Sequence, residues 1–177
     1  LTYAQYEEIA SGSVQLELDR DATERIKKSR EFLEGHTQTH EAPIYGVNTG
    51  FGALCNVVVD TINLSKLQTN LVRSHACGAG AEISPELVRL MMALKVQSFA
   101  VGVSGIRLEV VQQIINMFNT GALPVVYELG SLGASGDLAP LAHMSLPLLG
   151  EGEVRLDGEK VTTQEGLDML GSRSWTP

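Results

Sequence analysis

The run Gly130-Ser131-Leu132-Gly133-Ala134-Ser135-Gly136-Asp137-Leu138-Ala139-Pro140-Leu141-Ala142-His143 brings glycines, a hydroxyl, a carboxylate and an imidazole into one short stretch. A phosphate-binding loop would need a lysine after its last glycine, and Asp137 stands there instead. A nucleophile elbow needs Gly-x-Ser-x-Gly, whereas the order here is Gly133-Ala134-Ser135-Gly136-Asp137. The ordinary reading is a glycine-rich turn whose serine or aspartate caps the next helix. A chemical reading is also open. In a tightly held Ala-Ser-Gly turn, the amide nitrogen of Gly136 can attack the carbonyl carbon of Ala134, an approach that any side chain would obstruct. Loss of two waters would close an imidazolone ring and turn Ser135 into a dehydroalanine, an electrophile made from backbone. At a helix N-terminus it would sit in a positive field that favours electron-rich nucleophiles.

Other residues could take part in chemistry or merely in packing. Tyr45 precedes a glycine turn, and a packed tyrosine is as natural there as a reactive one. His75 lies in helical phase with Leu64, Leu67 and Leu71, the pattern of a satisfied core histidine. His36 and His40 are four apart, but the HTQTH segment lacks the glutamate of a zinc-protease helix and reads as surface. His143 is expected to support the helix that follows the 130–136 loop. Cys55 and Cys77 read as small packed thiols.

Glycine marks where these candidates must be positioned. Eight of the 18 glycines fall in 45–52 (YGVNTGFG), 75–80 (HACGAG) and 130–136 (GSLGASG). Glycine gathers where backbone turns tightly or approaches something closely, so these stretches are the candidate site. Helices are predicted between them. Residues 21–34 are amphipathic, with Gly35 as a stop, and a polar link through His36 and His40 leads to Pro43. Asn63 to His75 reads as a second helix. Ser84-Pro85-Glu86 opens a third, ending near Gly102, and 106–120 form a fourth, closed by Gly121. Asp137 is placed to cap a short apolar helix reaching about Leu149. Val154 to Val161 is a hairpin on Asp157-Gly158, and 163–170 a last short helix. The expected class is mainly α with one short β-hairpin, with no internal repeat.

Charge adds a constraint. The chain has 177 residues and 13 − 21 = −8 net charges, with a pI near 4.9. That balance argues against a nucleic-acid or anionic-membrane partner, which needs a basic face. No window reaches the apolar length of a membrane span. The early Glu7, Glu8 and Glu17 do not read as a secretory signal. Two cysteines are too few for a disulfide framework, so a reducing cytoplasm is the simplest setting. Residues 42–150 hold only six acids and five bases, the other 23 of the 34 charges lying in the flanks. A middle so poor in charge is expected to be covered by more than its own chain, either by an oligomer interface or by a completing polypeptide.

The run GSLGASGDLAPLAH, with YGVNTGFG at 45–52 and SHACGAG at 74–80, resembles the ammonia-lyases and aminomutases that use a self-formed 4-methylideneimidazol-5-one (MIO) group, and among them the histidine-specific branch most. Three motifs in the right order carry this resemblance, through about Gly171. It implies a mostly helical, glycine-loop-rich N-terminal portion, residues 1–177, of a homotetrameric helical-bundle lyase whose C-terminal part lies outside this chain. It implies that Ala134, Ser135 and Gly136 form the MIO group, that Asp137 supports the strained loop, and that Tyr45 removes the substrate β-proton. His75 matches the residue that faces the substrate side chain. The implied reaction is elimination of ammonia from L-histidine to give urocanate, with no metal and no diffusible cofactor. Tyrosine lyases and some tyrosine aminomutases also carry a histidine here, and Ala79-Gly80-Ala81-Glu82 departs from the Gly-Val-Gly common in histidine lyases. A tyrosine lyase or aminomutase, or an inactive piece of the fold, therefore stay open. The tail Ser172–Pro177 no longer resembles the family, as a truncation, a cleavage product completed by a second chain or a frameshift would produce.

Overall fold

The structure is a computed structural model that describes residues 2–39, 42–130 and 138–170, the side chain of Thr61 excepted. Helices α1 (Tyr3–Ser11) and α2 (Arg20–Thr39) lead to the first glycine stretch. Next come α3 (Leu64–His75), strand β1 (Ala79–Glu82), α4 (Pro85–Ala100) and α5 (Leu108–Thr120). Strands β2 (Leu123–Pro124) and β3 (Tyr127–Leu129) precede α6 (Leu138–Ser145), which tightens into a 3-10 turn at Leu146–Leu149. The chain continues through β4 (Glu153–Leu156), β5 (Glu159–Thr162) and α7 (Thr163–Met169). Among the described residues no helix is long and apolar enough to cross a membrane.

Helix α4 is the hub. It packs against α1, α2 and α5, burying Val88, Met92, Ala93 and Val96 against a core that includes Val111, Phe118 and Val126. Two side-chain devices hold its surroundings in register. Asn119 on α5 accepts the Leu16 amide at 2.8 Å and donates to the Leu16 carbonyl at 2.9 Å, imitating a strand pair. Arg25 on α2 donates to the Ala100 carbonyl at 2.9 Å, satisfying the end of α4. Gly102 beyond that end has φ +79°, and a Cβ there would lie 2.4 Å from the Arg25 Cβ, so only glycine fits.

The opposite face of α4 is apolar too. Leu87, Leu94 and Val101 recur every seven residues and stay 55%, 44% and 59% exposed. Helix α3 has an amphipathic sequence but no buried residue. A helix that is hydrophobic all round belongs in an interior. The charge-poor middle thus presents apolar surface that this chain does not cover.

Several sequence expectations meet the structure directly. Gly121 closes α5 in the left-handed conformation, and Asp157-Gly158 turn the β4–β5 hairpin with φ +50° and +86°, as an Asp-Gly hairpin turn requires. Others are corrected. Gly35 does not stop α2, which runs on to Thr39; the Thr37 and Thr39 hydroxyls donate to the carbonyls of Glu34 (3.0 Å) and Gly35 (2.9 Å), and His36 stacks on Phe32 at 5.9 Å. His36 is thus helical rather than in a link, and His40 lies outside the described residues. Ser84 stands at the N-cap of α4 without making a side-chain cap bond. The single expected hairpin is joined by more strand: β2 adds a third strand to it, and β1 pairs antiparallel with β3. Strands of two to four residues are too short for alternation to reveal.

Charge ties the two sheets together. Glu82 at the end of β1 bonds to Arg155 at 2.5 Å and Lys160 at 3.1 Å on the hairpin. Lys160 first, and Arg155 with it, hold the Glu82 carboxyl below its ordinary 4.5. A carboxyl depressed by folding adds stability above its unfolded value, and that stability is lost as pH falls below it. Glu82→Gln should therefore lower the melting temperature at neutral pH and flatten its decline below about pH 4.5; parallel melting curves of variant and parent across pH 3–7 would show the ion pairs to be inert.

Candidate functional site

At Gly46, Gly78 and Gly130, one glycine of each stretch, a neighbouring side chain lies close to the bare backbone. In the first, Asn48 and Thr49 staple the loop from inside. Asn48 accepts the Ile44 amide at 2.6 Å and donates to the Ala42 carbonyl at 3.1 Å, while buried Thr49 bridges to Val58. Gln68 on α3 donates to the carbonyls of Gly46 (3.0 Å) and Val47 (2.9 Å), fastening the loop to the helix. Gly46 has φ +70°, and a Cβ there would lie 2.8 Å from the Phe51 ring. Phe51 thus lies over bare backbone.

That ring joins two candidates. Its centroid is 5.5 Å from Tyr45 and 5.4 Å from His75, the latter edge-on at 66°. Tyr45 is 63% exposed, with its hydroxyl 3.4 Å from the Gly52 amide. His75 closes α3 half-buried, and its Nδ1 lies 2.7 Å from the Leu71 carbonyl. A carbonyl can only accept, so Nδ1 carries a proton and, in the neutral ring, Nε2 is the acceptor. The helical phase of His75 with Leu64, Leu67 and Leu71 does not make it a core histidine, because α3 is not buried.

The second and third stretches meet through β1 and β3, where Ala79 pairs with Leu129. His143 on α6 accepts the Gly78 amide on Nε2 at 2.9 Å, with the Tyr127 ring edge-on to it at 5.2 Å. Burial pushes its pKa below the usual histidine value, which keeps the ring in the neutral form that can accept. His143 therefore grips the neighbouring loop as well as belonging to the helix after the 130–136 stretch. At Gly130 a Cβ would lie 3.0 Å from the Ala139 Cβ and 3.3 Å from Pro140 Cδ. Gly130 thus lies against the first turn of α6.

Ala134, Ser135, Gly136 and Asp137 themselves lie outside the described residues. Cys77 is exposed rather than packed, and Cys55 is half-buried; both thiols are free. Among the described residues no group of three or more His, Cys, Asp or Glu could hold a metal. Sequence reasoning missed the parts played by Phe51, Gln68 and Gly78. Phe51 and Gly78 stood inside the quoted motifs, while Gln68 gave no local signal.

The sequence profile of the aromatic amino acid lyases matches residues 1–177. The chain belongs to that family. The match takes in the Ser172–Pro177 tail, which the motif comparison had left out. A histidine ammonia-lyase of Shewanella pealeana is 47% identical over 176 residues, covering 97% of this chain and 33% of that protein. A tyrosine aminomutase from Streptomyces globisporus superposes with a TM-score of 0.92 at 34% identity, over 100% of this chain and 33% of its own. A histidine ammonia-lyase from Trypanosoma cruzi does so with a TM-score of 0.85 at 33% identity, over 98% and 33%. The chain spans about a third of the length of the curated relatives it matches.

Gln68 supplies hydrogen bonds that fasten the first loop to α3. Gln68→Leu removes both donors while keeping similar bulk, so amide exchange in residues 44–52 should rise about tenfold. Exchange in α5 should not change. Unaltered protection of the loop would mean that Asn48 and Thr49 suffice to hold it.

Proposed function

We propose that this chain is the N-terminal, MIO-bearing portion of a longer ammonia-lyase that eliminates ammonia from L-histidine to give urocanate. The observation that carries the reading is that Tyr45 and His75 both lie against the Phe51 ring, while the Ala79–Leu129 pair brings the second glycine stretch beside Gly130, the first residue of the third. The close approach at Gly130 fits a group that needs a sharply folded backbone, and the family's Ala134-Ser135-Gly136 order supplies its atoms: cyclisation releases one water and dehydration of Ser135 a second.

Elimination of an α-amino group is difficult because ammonia leaves poorly and the β-hydrogen is barely acidic. The MIO group, formed from Ala134, Ser135 and Gly136, supplies an electrophile. The chain's own residues do the rest. Tyr45 takes the β-proton onto its phenolic oxygen, an exposed position consistent with reaching a substrate. His75 offers Nε2 as an acceptor, the right partner for an N–H of the substrate imidazole, while its Nδ1 is held by Leu71. Asp137 supports the turn before α6. No metal or diffusible cofactor enters the reaction.

The exposed Leu87-Leu94-Val101 stripe and the unburied α3 support a covering surface, either in a homotetramer or from a completing C-terminal chain. The expected partners are therefore L-histidine or a related aromatic amino acid and further protein, in the cytoplasm. A tyrosine aminomutase or lyase is the second reading, favoured by the likeness to the Streptomyces globisporus structure. Tyrosine would present a phenol hydroxyl to the same His75 acceptor.

The first measurement is the intact mass. A 19.0 kDa chain short by two waters carries the cyclised loop; the full mass would mean that these residues do not build the electrophile without more of the protein. In the full-length protein, Tyr45→Phe should lower kcat by about 10²–10⁴-fold while leaving the mass deficit intact. A near-normal rate would remove Tyr45 from the role of base. Supplying histidine and tyrosine side by side and analysing the products separates urocanate from coumarate or β-tyrosine.

A further inference from the structure

We infer that His143 is a positioning residue: its Nε2, by accepting the Gly78 amide, locks the loop that follows His75 to the helix that follows residues 131–137. The tie spans 65 positions of sequence in a single bond of 2.9 Å. It falls where the backbone pairing alone is loose. Strand β1 pairs with β3 at Ala79 and Glu82, but the register shifts between them, so the ladder does not by itself fix the residues just before Ala79. Gly78 is the next residue back, and His75 lies three positions before it.

The contact is built rather than incidental. A Cβ on Gly78 would lie 2.9 Å from Cδ2 and Nε2 of His143 and 3.2 Å from the Tyr127 Cβ. Glycine is what lets the imidazole reach the amide. The Tyr127 ring packs edge-on against the imidazole from β3, limiting its rotation. An N–H donor on Nε2 requires that nitrogen to be unprotonated, so the proton of the neutral ring is on Nδ1. The lowered pKa agrees with that state. Displacing a substrate-reading group by a small distance can cost a large factor in rate, and His143 reaches the segment that follows His75 through the Gly78 amide.

The lock itself stands on geometry; its value for turnover rests on the proposed role of His75, and two readouts separate the two. Amide exchange reads the lock in the 177-residue chain. His143→Leu should raise exchange at residues 76–80 about tenfold. His143→Gln should restore protection, because its Oε1 lies the same number of bonds from Cα as Nε2. Unchanged exchange in His143→Leu would overturn the lock. Turnover of histidine by the full-length protein reads the positioning. His143→Leu should lower kcat/KM about 10- to 100-fold, His143→Gln should recover most of it, and the intact-mass deficit should stay the same. In a His75→Leu background the His143→Leu cost should vanish, since there is then no reader to position. An equal cost in both backgrounds would reduce His143 to a general structural role and overturn the inference. If His75→Leu alone leaves histidine turnover untouched, the substrate-facing role of His75 fails while the exchange result keeps the lock. Where His143→Leu does not fold, His143→Asn, whose oxygen ends one bond short, replaces it in both readouts with the same expected losses.

Discussion

At each of three glycine-rich stretches, another side chain occupies the space that a β-carbon would take. Phe51 lies over Gly46, His143 over Gly78, and Ala139 and Pro140 over Gly130. The rest of the site depends on this constraint. A ring on bare backbone brings Tyr45 and His75 both into contact with Phe51. An imidazole against bare backbone gives His143 its hydrogen bond. A helix pressed on bare backbone sets the start of α6 against Gly130. Only Gly46 of these three needs glycine for its φ as well; Gly78 and Gly130 need it for room. The clustering of glycine is thus a record of close approaches between segments distant in sequence.

Stability and site are unevenly distributed. The buried side chains belong to α1, α2, α4, α5 and the elements that close on them, and Val111, Met92 and Phe118 are almost wholly enclosed. The site region has little such support. Between residues 42 and 82 the buried positions are those of the Asn48-Thr49-Gly50 turn, and α3 buries nothing. Besides the packing of α3 on α6, that region is held by polar contacts: Gln68 to the first loop, His143 to the second, Arg73 to Glu151, and Glu82 to the hairpin. Segments held by few contacts open at lower free energy than the core that carries them. The same region exposes Leu54, Val57 and Ile62, so whatever covers them also steadies the site.

The fold was legible where its signals were local. The Leu64-Leu67-Leu71 phase, the Pro85-Glu86 start, the Gly121 stop and the Asp157-Gly158 turn each lie within one helical or hairpin span. Signals depending on distant partners were not legible. The β1–β3 pair unites residues some fifty positions apart and leaves no alternation in four residues. Gly35 reads as a stop because glycine often ends helices, yet back-bonding threonines carry α2 through it. Helix α1 was missed although Thr2 and Gln5 form its capping box, a signal legible in the sequence at the N-terminus. In the site, residue identity was readable and linkage was not: Tyr45 and His75 could be singled out, but the Phe51 ring between them and the His143 bond to Gly78 exist only in three dimensions.

The ring contacts also limit how the site can deform. Tyr45 and His75 are joined through Phe51 at 5.5 and 5.4 Å, and Phe51 cannot sink further because it already rests on Gly46 backbone. A movement of α3 that shifts His75 must therefore push Phe51 and, through it, Tyr45. Gln68 lies on the same helix and pulls on the Gly46 and Val47 carbonyls, so that movement carries the first loop along. Helix α3 and the first loop behave as one body bearing both groups. Strand β3 and helix α6 form the neighbouring unit. The two meet where α3 packs on α6, at the Ala79–Leu129 pair and at the amide of Gly78.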